Sequence, residues 1–215
     1  MAIKRYYAIA DTTITNAFKT DLSTRGTGSN MGASDVLEAF VLYGQASSSS
    51  GLSAEKSRIL VKFPTDNMSS DRSAGTIAAS GSVSWYLKLY NAPHSQNIPP
   101  NMYLSIHPIT QDWKEGRGLD METYSFSGSA NWLTAKSSSA AGVTTWTSEG
   151  GDWTEDGRYG QITASFDSGT EDIEIDISDL VEGGWLKSSG AGAIVNYGVM
   201  VKFPEHGETA ISSSY

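Results

Sequence analysis

The stretch Asp172-Ile173-Glu174-Ile175-Asp176-Ile177 sets isoleucine against acid at every second position. Strand side chains alternate between the two faces of a sheet, so this pattern predicts a half-buried β-strand with its isoleucines inward. Similar segments recur on either side of it. Residues 194–203 (IVNYGVMVKF) are mostly apolar and predict a central strand. Toward the N-terminus, strands are expected over 3–10, 36–43, 58–63, 82–90, 102–109, 143–146 and 161–166. In 82–90, Val83, Trp85 (or Tyr86), Leu87 and Leu89 fall to one side. About nine strands at short spacing, parted by Gly, Ser and Asn, predict an all-β chain. Its expected architecture is a single antiparallel β-sandwich of jelly-roll type with long loops and very little helix.

The whole of 1–215 reads as one domain, with an N-terminal strand or arm over about 1–15 and a C-terminal tail over about 205–215. There is no internal repeat, and the serine run at 47–50 reads as a loop tip. Three loops are long: 11–35, 64–81 and 111–142. Helix is expected only at 178–181, capped by Ser178 and ended by Gly183-Gly184, with a second short turn at 53–57.

Composition narrows the function classes. Charged residues make up only 18% of the chain, and 22 glycines take much of the remainder, which suits turns and sheets better than helices. A net charge of -9, with Lys4-Arg5 the densest basic group, argues against nucleic acid as a partner. No cysteine is present, which removes disulfides and thiolate metal sites and favours synthesis in a reducing cytoplasm. No signal peptide and no membrane-spanning run is legible.

Catalytic patterns are missing. There is no nucleophile elbow, and His94, His107 and His206 lie far apart outside any motif. Asp112, Glu115, Asp120, Glu122, Asp152 and Glu155 offer many carboxylates without selecting a glycosidase pair. Asp152, Glu155 and Asp156, ahead of Gly157, loosely resemble a calcium loop, but the twelfth position would be Thr163 rather than Glu. A solvated acidic turn is the plainer reading. The glycine-rich 25–32 lacks a phosphate-binding Lys-Ser/Thr and reads as a flexible connection. The chain is therefore expected not to be an enzyme and to need no cofactor.

Tryptophan carries the most information. Trp113, Trp132, Trp146 and Trp153 cluster in a region that is otherwise small and polar. They either staple long loops to the sheet or form an aromatic surface for sugar rings or a neighbouring protein. Stapling is the preferred reading for Trp113 and Trp146, while Trp132 and Trp153 divide evenly between the two.

Several of these segments together resemble a known family. Ala10–Ile14 (ADTTI), 57–63 (SRILVKF), 87–90 (LKLY), Trp113 to Gly118 (WKEGRG), Trp146 followed by Gly150-Gly151-Asp152, 175–181 (IDISDLV) and 196–199 (NYGV) occur in the order found in DNRLRE-type jelly-roll domains. The resemblance spans about residues 8 to 204 and implies the jelly-roll fold. Many members are modules of polysaccharide-degrading enzymes, some binding acidic sugars; others are stand-alone virion proteins of tailed, often marine, phages. Residues 14–18 (ITNAF) and 27–38 (TGSNMGASDVLE) are similar to the phage members in particular. The resemblance thus implies a virion structural protein (capsid decoration, neck or tail-associated) made in the host cytoplasm. Its partners would be copies of itself, other virion proteins and host surface glycan. The alternative is a carbohydrate-binding module. Virion members tend to continue past the sandwich, whereas this sequence stops at Tyr215, where a further strand could begin.

Overall fold

Every strand pair in the computed structural model is antiparallel, and strand far outweighs helix over the described residues, which are 3–43, 54–94, 102–125, 128–155, 157–159 and 162–209. The chain is all-β. Strands β1 (Ala10–Thr15), β2 (Val41–Tyr43) and β3 (Ala54–Lys62) come first, followed by helix α1 (Thr65–Ser73). Next are β4 (Tyr86–Leu89), β5 (Met102–Pro108), β6 (Thr134–Ser138), β7 (Gly142–Thr145), β8 (Ile162–Phe166) and β9 (Ile173–Asp176). Helix α2 (Ser178–Leu180), strand β10 (Val199–Lys202) and helix α3 (Glu205–Thr209) complete the order. The main sheet runs β1-β3-β10-β5-β8, with β2 beside the start of β3; β4-β9 and β6-β7 form two smaller sheets.

Strand β10 holds the centre, as the apolar run predicts, and all four of its residues are buried. It can be buried throughout because the sheet is covered on both faces. On one face Ile59, Val61, Leu104, Ile106, Val199 and Val201 pack with Trp85, Leu87, Leu180, Val181 and Trp185. On the other, Ile14, Leu60 and Met200 pack under Trp113, Trp132 and Trp146. The register pairs Val199 with Val61, Met200 with Leu60 and Val201 with Ile59, so each strand divides its residues between the two cores in step with its neighbour. Each fully buried aliphatic side chain contributes about 1.5–3 kcal/mol.

Several boundaries differ from those expected. Residues 3–9 are not a paired strand; β1 starts at Ala10 and runs into the expected 11–35 loop. Its Thr-Thr-Ile-Thr stretch is β-branched and fully covered, which favours strand without any polar alternation. Of the expected 53–57 turn, residue 53 lies outside the described residues and the rest is the start of β3, where Lys56 N donates to Asn16 Oδ1 at 2.8 Å. The 64–81 loop contains α1, which opens at Pro64 without a side-chain cap and so carries no start signal. The 111–142 loop contains β6, paired with β7 across a register shift between Thr134 and Lys136. Ser178 does not cap α2: its Oγ accepts from Trp85 N at 2.8 Å, while its own N–H donates to Asp176 Oδ1 at 2.7 Å. Gly183-Gly184 does not end the helix either. Both lie inside a π-helical turn over Val181–Trp185 that carries Trp185 into the core. The serine run at 47–50 lies outside the described residues.

The glycine-rich 25–32 segment is fixed in place rather than flexible, and Asn30 is the reason. This fully buried amide uses all its hydrogen-bonding capacity. Nδ2 donates to Glu115 O at 2.6 Å and to Ala130 O at 2.9 Å; Oδ1 accepts from Gly118 N at 2.8 Å and Gly32 N at 3.3 Å. Three distant segments thereby become one unit. Gly118 is required for the approach, since a Cβ there would sit 1.9 Å from Asn30 O. Replacing Asn30 with Ala strands several buried backbone groups and should cost roughly 2–4 kcal/mol. Gly28→Ala, where an added Cβ meets nothing within 4 Å, should change stability by less than about 0.5 kcal/mol. Urea denaturation of both variants at unchanged m-value checks the contrast.

Candidate binding site: a cationic socket beside the Trp153 cleft

Alternation along β3 puts Lys56, Arg58, Leu60 and Lys62 on the same face as Met200 and Lys202 of β10. Two of these cations are deeply buried, Arg58 at 4% exposure and Lys202 at 2%. Charges so placed need counter-charge and hydrogen bonds. One carboxylate supplies most of both. Glu208, on α3, accepts from Arg58 Nε at 2.9 Å and from Arg58 Nη2 at 2.5 Å, the two-pronged geometry natural to guanidinium and carboxylate. Lys56 Nζ and Lys202 Nζ each lie 3.7 Å from the same carboxylate. Arg58 Nη1 also donates to Gly150 O at 2.7 Å, and Lys202 Nζ to Phe203 O at 2.9 Å.

Aromatic rings complete the walls. The Arg58 guanidinium lies 5.0 Å from the centre of the Trp132 ring and 4.5 Å from that of Trp153, with Lys202 Nζ 5.2 Å from the latter. Such cation–π contacts add to the ion pair where water is excluded. Gly150, with φ of +88°, permits the packing: a Cβ there would come within 2.6 Å of Arg58 Nη1 and 2.7 Å of Trp132. This accounts for the Gly-Gly that follows Trp146 in the sequence.

The four tryptophans have different places. Trp113, Trp132 and Trp146 are buried at 5, 3 and 5% exposure. Trp113 Nε1 donates to Tyr197 O at 2.7 Å and Trp146 Nε1 to Asn131 O at 2.8 Å, so both staple loops to the sheet. Trp132 is a third staple, its backbone N–H donating to Thr27 O at 3.0 Å. Trp153 alone of the four is half-buried. It borders a shallow cleft of about 430 Å³ whose other walls are Thr110, Gln111, Thr147, Ser148, Gly151 and Asp152. An aromatic edge ringed by hydroxyls and amides can stack on and hydrogen-bond a polar ring-shaped ligand.

Of the calcium candidates, Asp152 is engaged within its own turn. Asp152 Oδ2 accepts from Thr147 N at 2.8 Å and Oδ1 from Ser148 N at 3.0 Å, so the carboxylate closes its own turn. Glu155 is exposed, and Asp156 lies outside the described residues. Among the described residues no three His, Asp or Glu side chains gather as a metal site would require. The histidines also stand apart: His94 is exposed, His206 on α3 faces Tyr103 with ring centres 5.6 Å apart, and His107 lies 6.4 Å from the Trp153 ring.

Sequence reasoning missed the Arg58–Glu208–Lys202 cluster. The signal available was a charged residue in phase with a buried face, at Arg58 in SRILVKF and Lys202 in VMVKF; nothing local marks Glu208, 150 residues from Arg58, as their partner.

The socket's field reaches His107. Burial, and then the Lys202 charge, hold its pKa below the ordinary histidine value of 6.5, against weaker pulls from Glu155, the Thr154 backbone and Glu208. An unfolded chain therefore takes up a proton near pH 6.5 that the native His107 resists. Stability from this group is fully present above pH 6.5 and falls as the pH drops from there toward the native pKa. Melts between neutral and mildly acidic pH should show that loss, and His107→Gln should flatten it.

Comparison with protein-family models, with curated proteins and with solved structures finds no match to this chain.

Proposed function

We propose that this chain is a non-enzymatic phage virion structural protein, a jelly-roll β-sandwich that decorates the capsid or belongs to the neck or tail. It would be made in the host cytoplasm and act by docking on the particle and on copies of itself. The observation that carries the assembly part of this reading is the N-terminal arm. Residues 3–9 lead into β1 and expose Ile3 at 83%, Tyr7 at 77% and Ile9 at 59%. Exposed apolar side chains on a segment that leads into an edge strand suit packing against a neighbouring subunit.

The arm is also anchored at its middle. Tyr6 OH donates to Asp71 Oδ2 at 2.6 Å, Lys4 Nζ lies 2.6 Å from the same oxygen, and the Tyr6 ring is 5.9 Å from that of Trp85. Burial, followed by the hydrogen bond and the charge of Asp71, pushes the Tyr6 pKa up to about 12. Beneath the arm lies a cleft of about 520 Å³ lined by Arg5, Tyr7, Pro64, Asn67 and Ser70 among others. An arm fixed at Tyr6 and again at Ile9, whose N–H donates to Lys62 O at 2.8 Å, holds its exposed apolar side chains in a set position, which supports docking better than a loose tail would. The phage-like stretches at 14–18 and 27–38 supply the virion setting.

A second reading is favoured by one observation, the half-open Trp153 beside its polar cleft. On that reading the chain binds polysaccharide, either as a carbohydrate-binding module or as a virion protein touching host surface glycan.

Two measurements decide between them. A chain with Ile3, Tyr7 and Ile9 all replaced by Ser keeps the Tyr6–Asp71 anchor, so it should melt nearly as the unaltered chain does yet fail to enter particles; unchanged incorporation would overturn the assembly reading. In calorimetric titration with polysaccharide, Trp153→Ala should weaken binding by roughly tenfold, in line with the loss of about 1–2 kcal/mol from one aromatic contact. No heat from the intact chain at millimolar sugar would remove the glycan reading.

A further inference from the structure

The groups around the Trp153 cleft discriminate between ligands by charge. We infer that the cleft takes an uncharged polyhydroxy ligand, a neutral sugar chain, and turns away uronates and sulfated sugars. This deepens the glycan reading and rests on it. The two part company in one result, binding of an acidic sugar, which would leave the glycan reading standing and overturn the choice of charge.

The aromatic surface is in place before any ligand arrives. Ile109 and Trp153 form an antiparallel bridge, Thr110 N donates to Asp152 O at 3.0 Å and Thr154 N to Pro108 O at 3.1 Å. The backbone on both sides of Trp153 is thereby fixed to the end of β5, and the Arg58 guanidinium, 4.5 Å from the ring centre, steadies the indole. A ring ordered in advance costs little freedom on binding. Stacking does not by itself separate neutral from acidic sugars, so the polar groups beside the ring set specificity.

Those groups suit hydroxyls. Among the described residues the side chains of Thr110, Thr147 and Ser148 have no hydrogen-bond partner, and Gln111 uses Nε2 on Thr145 O at 2.8 Å while its Oε1 stays open. Asp152 accepts one backbone N–H at each oxygen, and each oxygen keeps a further lone pair that can accept from a ligand hydroxyl. Sugar hydroxyls both donate and accept, and so match hydroxyl, amide and carboxylate partners alike.

Charge separates the ligand classes. Of the residues that line the cleft, Asp152 alone is charged. Glu149, in the same turn, and Glu155, two residues beyond Trp153, are both exposed and add to the negative side. The neighbouring cations do not serve a ligand. Arg58 and Lys202 are 4 and 2% exposed, neither lines the cleft, and their donors go to Glu208, Gly150 O and Phe203 O. A uronate or sulfate in the cleft would therefore meet a carboxylate of like charge and no available cation, which weakens binding strongly.

The test is calorimetric titration of the unaltered chain with sugars matched in backbone and different in charge: mannan against polymannuronate, and galactan against sulfated galactan. The expected result is heat from a neutral member at millimolar sugar, with its charged counterpart weaker by about tenfold or more. Because no ion pair forms, the neutral affinity should change by less than about twofold between low and high salt. A charged member that binds as well as its neutral counterpart, or better, overturns the inference. So does neutral binding that Trp153→Ala leaves unchanged, since the sugar would then lie elsewhere on the surface. Silence from all four sugars removes the glycan reading and this inference with it.

Discussion

A sheet covered on both faces has no solvent side, and that constraint governs the rest of the structure. Strand β10 cannot alternate apolar with polar residues, because both sets are buried. Where a charged residue falls in its phase, as Lys202 does, the fold must bring a counter-charge to it. Glu208 is that counter-charge, and it is buried although Glu205 and His206 on the same short helix are exposed. The same carboxylate satisfies Arg58 on the adjacent β3, so one side chain closes the charge on two strands.

The covering on the tryptophan face is built from loops rather than from a second large sheet. Trp113, Trp132 and Trp146 give those loops the apolar area that their serines and glycines lack. Asn30 supplies the polar half of the same task by satisfying backbone groups from residues 32, 115, 118 and 130. On the opposite face Glu182 has a comparable role. It pairs with Arg72 Nη2 of α1 and accepts from Trp85 Nε1 at 2.7 Å and Ser80 Oγ at 2.7 Å, binding the helical layer to the sheet. Long connections are ordered here because each is tied by a buried polar hub as well as by aromatic packing.

Much of the sheet was legible in the sequence. The isoleucine alternation marks β9, and the apolar run marks β10 as central, because period and composition are local properties. β1 was displaced because a threonine run looks polar, and β6 was lost in a stretch read as loop from its serines. α1 was missed because it opens at an uncapped proline and buries only Met68. The candidate site was less legible. Trp153 was among the residues singled out, but the ion pair beside it joins residues 58 and 208, and no local pattern encodes a contact at that separation.

The place of β10 in the chain has a consequence for how the protein acquires its fold. It is the last of the described strands, yet it lies between β3 and β5, which are both made long before it. During synthesis the β1-β3 pair and the β5-β8 pair can form early, but each keeps an open inner edge until the residues near 200 leave the ribosome. Closure then depends on contacts between segments some 90 to 140 residues apart, a topology that folds slowly and exposes strand edges while it waits. Until then the nascent chain carries unpaired inner edges on β3 and β5 that the finished sheet covers.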